Sequence, residues 1–309
     1  MVQEGWLHSV AGTGTFVSED ISQKEEQLKR KSKNIALVFR LPLSPLDSPY
    51  YSKIFMSIQQ EVSRRGYYFS FYSFFEESGV NMVKIARERN HSGFIFVGEI
   101  KDKIILEAHR AGIPLVLLDN YMSNKDITSV VPDNRGGAFE ATSYLAKLGH
   151  RSIYFFGRKP DDAVATERFN GYREALAAAG IPYKEEFLLT EHNSFADGYR
   201  SMDNVLKSKK IPTAIFAFND ETAIGAMKAI REKSDLQIPK DISIIGFDDI
   251  DWAAHSTPPL TTIGVRKEEM GVLVVKYLVE HIEGNNVINA KIVSPVDLVI
   301  RSSCAKPYR

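Results

Sequence analysis

The chain is dominated by short apolar runs that alternate with amphipathic segments from Asn34 onward. Continuous apolar runs of this kind are typical of parallel strands that are covered on both faces. Repeated strand and helix units of this length predict doubly wound α/β sheets, because parallel neighbours need a crossover connection between them. The predicted strands are IALVF (35–39), YYFSFYSF (67–74), GFIFV (93–97), PLVLLD (114–119), SIYFFG (152–157), AIFAF (214–218) and ISIIGF (242–247).

Four of the amphipathic segments end in a glycine, at Gly66, Gly112, Gly149 and Gly180. A glycine just past the last helical turn adopts the left-handed backbone that lets the chain leave the helix. These positions therefore predict helix ends, each followed by the next strand. The number of strands is too large for one sheet of this type, so the periodicity predicts two α/β halves.

The composition is that of a globular protein without an overall charge preference. The 309 residues carry 39 Lys and Arg against 39 Asp and Glu, so any nucleic-acid contact must come from a local patch. One cysteine, Cys304, excludes an intrachain disulfide. Together with the lack of a signal-peptide pattern and of a long apolar run, this predicts a cytoplasmic protein that does not span a membrane.

No catalytic or metal-binding motif is visible in the sequence. The seven histidines are scattered without HExxH spacing, and neither a G-x-S-x-G nor a G-x-x-x-x-G-K-[ST] pattern is present. Gly12 and Gly14 lie in a predicted hairpin without the third glycine and the strand–helix unit that a dinucleotide site needs. We therefore expect no metal, no cofactor and no enzymatic activity.

Two buried strands end abruptly in polar pairs, at Asn219-Asp220 and at Asp248-Asp249. Open α/β sheets bind ligands outside the carboxyl ends of their strands. The stretch from Phe216 to Ile263 reads FAFNDETAIGAMKAI and then IPKDISIIGFDDIDWAAHSTPPLTTI. In order and spacing, this block resembles the ligand-binding core of the lactose- and purine-repressor family of transcription regulators.

The resemblance covers residues 34–309 and implies two lobes joined by three crossover segments, the fold of periplasmic binding proteins. It places the later crossings at Ile263–Val265 and near Ser294, which periodicity alone does not show. The implied first lobe is 34–131 with 263–293, and the implied second lobe is 132–262 with 294–309.

The resemblance also implies a small effector, of sugar or sugar-like chemistry, bound in the cleft between the lobes. Asn219 and Asp248 stand at strand ends and offer hydrogen-bond acceptors for the vicinal hydroxyls of a ligand. The guanidinium of Arg168 presents several N–H donors, which suit adjacent hydroxyls or a carboxylate. Asn193 stands where the family carries an aromatic residue that stacks on the ligand. The candidate effector-binding residues are Tyr50, Tyr51, Asp119, Val164, Arg168, Asn193, Asn219 and Asp248.

Plain structural alternatives exist for several of these residues. Tyr50 and Tyr51 are equally compatible with surface rings that cover a helix start, and Asp119 with a turn-forming residue. Arg168 is compatible with an ordinary surface arginine. Asp220 is expected to cap the helix that follows it rather than to bind ligand.

The first 33 residues differ from the rest. The strands Trp6–Val10 and Thr15–Val17 predict a hairpin, and the pattern EGWL…GTGTFV resembles the wing of a GntR-type winged helix. The resemblance implies DNA contacts from Gly12, Thr13, Gly14 and Thr15.

We expect residues 1–17 to be a partial wing and residues 18–33 a charged linker, in which Lys29–Lys31 are either solvated or near DNA phosphates. Because no recognition helix precedes the wing, these 309 residues are not expected to read an operator unaided.

Three functions compete for this sequence. The first is a ligand-responsive transcriptional regulator, acting through operator DNA as a homodimer that uses the helix 221–230 and the segment 252–259. The second is a periplasmic-type solute receptor for a transporter, which shares the two-lobe architecture but needs a signal peptide and no wing. The third is a sugar-modifying enzyme, which needs a catalytic constellation that the sequence does not show. The first is favoured.

Overall fold

The computed structural model describes residues 7–10, 14–17, 33–40, 48–75, 79–122, 126–158, 162–190, 193–208, 210–285 and 289–308. Within these ranges, no helix is both long and apolar enough to cross a membrane.

A short antiparallel hairpin lies at the N-terminal end of the described chain. Strand β1 (Leu7–Val10) pairs with β2 (Gly14–Val17), with Leu7 opposite Val17. The predicted hairpin is therefore present, and it places Gly14 and Thr15 in its second strand. Gly12 and Thr13, and the linker 18–32, lie outside the described residues.

The first lobe is built on a six-stranded sheet whose strands are all parallel to their neighbours. Its inner strands are almost entirely buried, as continuous apolar runs require, whereas the two edge strands are partly exposed. The strands are β3 (Asn34–Arg40), β4 (Tyr68–Phe74), β5 (Gly93–Val97), β6 (Leu115–Leu118), β7 (Ser129–Pro132) and β13 (Lys291–Ser294), in the spatial order β13-β7-β6-β5-β3-β4.

The second lobe is built on another six-stranded sheet, parallel except for its last edge strand. Its strands are β8 (Ile153–Gly157), β9 (Leu188–Thr190), β10 (Ala214–Ala217), β11 (Ser243–Asp248), β12 (Thr261–Val265) and β14 (Val296–Val299), in the spatial order β14-β12-β11-β10-β8-β9.

Helices cover both sheets and bury their apolar faces against them, which completes two doubly wound layers. A 3₁₀ turn, Glu185–Phe187, precedes β9. The helices are α1 (Tyr51–Arg64), α2 (Met82–Glu88), α3 (Asp102–Arg110), α4 (Asn134–Leu148), α5 (Ala163–Ala178), α6 (Phe195–Ser208), α7 (Asp220–Lys233), α8 (Asp251–His255) and α9 (Lys267–Ile282).

The chain crosses between the lobes three times. It passes from β7 of the first sheet to α4 on the second, and from β12 of the second sheet to α9, which packs on α1, β5, β6 and β7 of the first lobe. It returns from β13 to β14. The predicted two-lobe α/β fold is thus confirmed. Residues 263–265, however, lie in the second sheet, because Ile263 pairs with Phe247 and with Leu298, so the second crossing follows Val265.

The predicted helix ends agree with the structure. Gly66, Gly112, Gly149 and Gly180 all have positive φ, between 66° and 107°. Gly149 directly follows its helix, and the other three glycines lie two residues beyond the last helical residue, where glycine adopts this backbone without strain.

Five strands were not predicted, namely β7, β9, β12, β13 and β14. β7, β9 and β13 have only three or four residues each, and β7 ends in a proline, which argues against a strand in a sequence pattern.

Candidate functional site

A cleft of about 270 Å³ lies between the carboxyl ends of the two sheets. All eight residues that the sequence suggested for effector binding line it: Tyr50, Tyr51, Asp119, Val164, Arg168, Asn193, Asn219 and Asp248. The volume is close to the lower end of the roughly 300–1,000 Å³ that small-molecule sites occupy. The cleft therefore suits a small ligand.

The wall from the first lobe carries two tyrosines at the start of α1. Tyr50 is 8% exposed, and its ring meets that of Tyr51 edge-on with 4.9 Å between ring centroids. Tyr51 in turn stacks on Phe55 at 5.7 Å. These rings are packed rather than spread on the surface, so the alternative of surface rings covering the helix start is wrong.

Asp119 follows β6 and faces the same tyrosines. Its backbone is left-handed, with φ of 55°, a conformation that aspartate tolerates better than most residues. The Tyr51 hydroxyl donates to Asp119 Oδ2 at 2.7 Å. Burial raises the pKa of Asp119 to about 6, although the hydrogen bond from Tyr51 and the charge of Arg168 oppose this rise.

Two buried polar atoms on this wall have no hydrogen-bond partner among the described residues. They are the Tyr50 hydroxyl and Asp119 Oδ1. Leaving a buried polar group unpaired costs about 1–3 kcal/mol, so such atoms in a cleft indicate a place where a ligand completes the hydrogen bonding. One donor and one acceptor are thus presented from the first lobe.

The wall from the second lobe is organised around Arg168, in the second turn of α5. Its Nε donates to Asn134 Oδ1 at 2.8 Å and its Nη1 to the carbonyl of Phe218 at 2.6 Å. Its Nη2 lies 3.3 Å from Asp248 Oδ1. A guanidinium has five N–H donors. Three are used in this way, and two remain for a ligand in the cleft.

Two aromatic rings enclose the Arg168 guanidinium. Its central carbon lies 3.7 Å from the centroid of Phe247 and 4.6 Å from that of Phe218. Arg168 is consequently 3% exposed. The alternative of a surface arginine is therefore wrong.

Asp248 ends β11 with a φ of 108° and is 6% exposed. Burial raises its pKa to about 6, and the charges of Arg168 and Lys267 oppose the rise. Lys267 lies under this corner, with its Nζ donating to the carbonyls of Asp248 and of Asp249, the latter at 3.0 Å. A buried cation thus holds the strand end in its left-handed turn.

Asn219 caps α7, and Asp220 does not. The extended backbone of Asn219 lets its Oδ1 accept from the amide of Thr222 at 2.9 Å, while its Nδ2 donates to the carbonyl of Asn193 at 2.9 Å. The expectation that Asp220 caps this helix is wrong because Asp220 already lies within its first turn. Its carboxylate is fully buried and accepts from Ile250 N and Thr262 Oγ1.

Val164 and Asn193 complete the second wall as half-buried residues. Val164 stands in the first turn of α5, and the carbonyl of Asn193 is held by Asn219.

Sequence reasoning missed several lining residues. Glu99 and Arg158 follow β5 and β8, so the strand-end rule that found Asp119 would also have found them. Their side chains approach each other across the cleft, with Arg158 Nη2 3.6 Å from Glu99 Oε2. The other missed lining residues are Ser48, Gly98, Asn120, Asp162, Ala163, Ser194, Phe218 and Glu221.

The arrangement is suited to binding rather than to catalysis. Within the part of the chain that the structure describes, no group of three or more His, Cys, Asp or Glu side chains is placed to hold a metal ion. Cys304 lies outside the cleft lining, and burial raises the pKa of its thiol to about 12, which makes it a poor nucleophile. What the cleft offers are aromatic faces and charge-assisted hydrogen bonds.

Comparison with known proteins gives a consistent result. The family model of the periplasmic binding protein-like domain matches residues 142–304. The HTH-type transcriptional repressor PurR of Pasteurella multocida (strain Pm70) is 31% identical over 263 residues, which are 83% of this chain and 78% of that protein.

Two solved structures are similar over most of their length. The transcriptional regulator CelR in complex with cellobiose has a TM-score of 0.81 and 26% identity, covering 92% of this chain and 90% of its own. A LacI family transcriptional regulator from Enterococcus faecium with bound ribose has a TM-score of 0.76 and 26% identity, covering 88% of this chain and 99% of its own.

Proposed function

This chain belongs to the LacI family of ligand-responsive transcription regulators, and we propose that its effector is a small sugar or sugar-like molecule bound between the lobes. It is not an enzyme, and the alternative of a solute receptor for a transporter is not favoured, because its relatives are named transcriptional repressors. The proposed effector class is supported by similar regulators solved with cellobiose and with ribose.

The observation that carries the proposal is the pairing of donors and acceptors on the two walls. The first lobe presents the Tyr50 hydroxyl and Asp119 Oδ1, and the second presents the remaining N–H groups of Arg168 beside the carboxylate of Asp248. A hydroxyl both donates and accepts, so one hydroxyl satisfies a donor–acceptor pair. The faces of Tyr50 and Tyr51 suit the C–H surface of a sugar ring.

Effector binding would act by shifting the balance between lobe arrangements. A ligand held by both walls favours the arrangement in which the walls are close, by the difference of its affinities for the two states. Polar contacts already join the lobes: Lys53 to Asp251 at 2.5 Å, and Lys291 to Glu167 at 2.5 Å. We propose that these contacts and the effector stabilise the same closed arrangement.

We propose that DNA is bound through a GntR-type winged-helix head, of which the hairpin of β1 and β2 is the wing. In that proposal Gly12, Thr13, Gly14 and Thr15 contact the DNA backbone or minor groove. In such a head, base readout would come from its recognition helix in the major groove. A cytoplasmic location fits this role.

We further propose that the regulator is a homodimer, which would bind a palindromic operator. Trp252, on α8, is 54% exposed although tryptophan is usually well covered, and it adjoins the segment that ends in Pro258-Pro259. This segment and the outer face of α7 are the surfaces that we assign to the partner subunit.

Calorimetry after a thermal-shift screen of monosaccharides and disaccharides tests the effector proposal. A ligand specific for the folded state raises the unfolding midpoint. Asp248→Asn should weaken the best ligand roughly 10- to 150-fold, because a hydrogen bond to a charged group contributes about 1.5–3 kcal/mol. The matched control is Asp235→Asn, which removes an exposed carboxylate outside the cleft. Equal affinity of both variants would show that the ligand binds elsewhere.

A further inference from the structure

The cleft carries an excess of negative charge that the whole chain does not have. Over the full sequence Lys and Arg balance Asp and Glu at 39 each. Among the residues that line the cleft, five are carboxylates and two are arginines, Arg158 and Arg168. The imbalance is therefore local to the site. The five carboxylates are Glu99, Asp119, Asp162, Glu221 and Asp248.

Both arginines are already engaged by cleft carboxylates. Arg168 pairs with Asp248 at 3.3 Å, and Arg158 pairs with Asp162 at 2.5 Å and with Glu99 at 3.6 Å. Their charges are largely neutralised before any ligand enters.

The two carboxylates left over are Asp119 and Glu221. Neither has a Lys, Arg or His nitrogen within ion-pair distance among the described residues. Asp119 stands on the first lobe and Glu221 on the second, in the first turn of α7, so each wall contributes one. Burial raises the pKa of both carboxyls, which reflects the free-energy cost of keeping these charges away from water.

The unpaired atoms on the first wall set the chemistry of what lies against them. An ionised carboxylate only accepts hydrogen bonds, so a group that satisfies Asp119 Oδ1 must donate. A hydroxyl or an ammonium does so, whereas a ligand carboxylate or phosphate cannot and would repel Asp119. The Tyr50 hydroxyl beside it, itself more than nine-tenths buried, can donate to the same ligand hydroxyl.

We infer that the cleft selects its effector by charge, taking an uncharged or amine-bearing polyhydroxylated molecule and excluding acidic sugars and sugar phosphates. This inference rests on the proposed sugar-sensing function and assigns Asp119 and Glu221 as the residues that determine charge specificity. The guanidinium of Arg168 is not assigned to a ligand carboxylate, because it already forms an ion pair with Asp248.

The test is a panel of matched sugars screened by thermal shift and then titrated by calorimetry at pH 7.5. Glucose, galactose, mannose and ribose are each compared with their amino, acid and phosphate forms where these exist. For the sugar that binds, the acid and phosphate forms should bind at least roughly 100-fold more weakly than the neutral or amino form, as Coulomb repulsion at about 6 Å predicts. An acid or phosphate form that binds as tightly as its neutral parent would overturn the inference.

Two variants refine the test. Asp119→Asn retains an acceptor for Tyr51 and suits the left-handed backbone, and Glu221→Gln is its counterpart on the other wall. Each variant should reduce the ratio of the affinity for the neutral sugar to the affinity for its acidic form about tenfold. If this ratio of affinities is unchanged in both variants, the inference is also overturned.

A ligand-free measurement separates this inference from the function on which it rests. Asp119→Asn should raise the unfolding midpoint at pH 7.5, because it removes a buried charge that has no ion-pair partner among the described residues. The matched control is Asp162→Asn, which keeps the hydrogen bond to the Ala165 amide but weakens the pair with Arg158 and should not raise the midpoint. If no sugar binds but Asp119→Asn stabilises the chain, the proposal of a sugar effector is wrong, whereas the conclusion that the cleft carries an uncompensated negative charge is retained. If Asp119→Asn is no more stable than Asp162→Asn, the charge inference itself fails.

Discussion

Replacing Arg168 by methionine is expected to destabilise the second lobe far more than its place near the start of a helix suggests. The change keeps an unbranched apolar stem but shortens the side chain, and it removes the donors to Asn134 Oδ1 and to the Phe218 carbonyl and the cation beside Asp248. Asp248 is 6% exposed, so its carboxylate is left as a buried charge. Removing one partner of a buried ion pair costs about 3–5 kcal/mol, and this is the expected loss.

A double-mutant cycle with Asp248→Asn separates the cost of the stranded charge from the cost of lost packing. In Arg168→Met/Asp248→Asn the stranded carboxylate of Asp248 is gone, and the main residual cost is two acceptors without donors. We expect this double variant to recover about half of the lost stability, since each unsatisfied acceptor costs about 1–3 kcal/mol. Urea unfolding followed by circular dichroism measures the free energy of unfolding of the four chains.

Arg135 provides the control for the removal of an arginine. It pairs with Glu174 at 2.5 Å, but its side chain is 60% exposed. Exposed ion pairs contribute about 0–1 kcal/mol, so Arg135→Met should be nearly neutral. The reasoning fails if Arg168→Met costs no more than Arg135→Met, or if the double variant is less stable than Arg168→Met alone.

Four further outcomes are expected. Because burial raises the pKa of Asp119 to about 6, from about 4 when unfolded, the folded carboxyl binds its proton more tightly. The free energy of unfolding of the parent, relative to Asp119→Asn, should therefore rise by up to roughly 3 kcal/mol as pH falls from 7 to 4, measured by urea titrations. Tyr51→Phe should destabilise the chain by about 1–3 kcal/mol in the same assay, because Asp119 loses its donor. Gly225→Ala should cost at least about 1–3 kcal/mol, since its Cβ would overlap the backbone of α6 where α6 packs on α7. Light scattering at micromolar concentration should give the mass of a dimer, and a monomer would contradict the assigned subunit surfaces.

Much of the fold was accessible from the sequence because the strong signals were local. Seven buried strands and four glycine-terminated helices each lie within a few consecutive residues, and apolar runs of five or more residues have few alternatives in a chain of this composition. The strands that escaped prediction are those whose pairing is decided at a distance. β13, for example, is a half-exposed KIVS segment that becomes a strand only because β7 offers it an edge.

The candidate site was also only partly predictable from the sequence. Asp119, Asn219 and Asp248 were found because a polar residue that directly follows a buried strand is visible in sequence. The arrangement around Arg168 was not, since its partners lie 34, 50 and 80 residues away along the chain. The cap of α7 was assigned to Asp220 rather than to Asn219, because the sequence does not show which of the two residues has the extended backbone of a cap.

The missing aromatic at Asn193 is explained by where the other aromatic side chains lie. In this cleft the aromatic faces come from Tyr50 and Tyr51 on the first lobe, and Phe218 lies beneath Arg168 on the second. The backbone carbonyl of Asn193 instead accepts a hydrogen bond from Asn219 Nδ2, which fixes the side chain that caps α7. A cleft whose polar groups face each other across the lobes, with its rings on the first wall, therefore favours a ligand that stacks on the first lobe and hydrogen-bonds to the second.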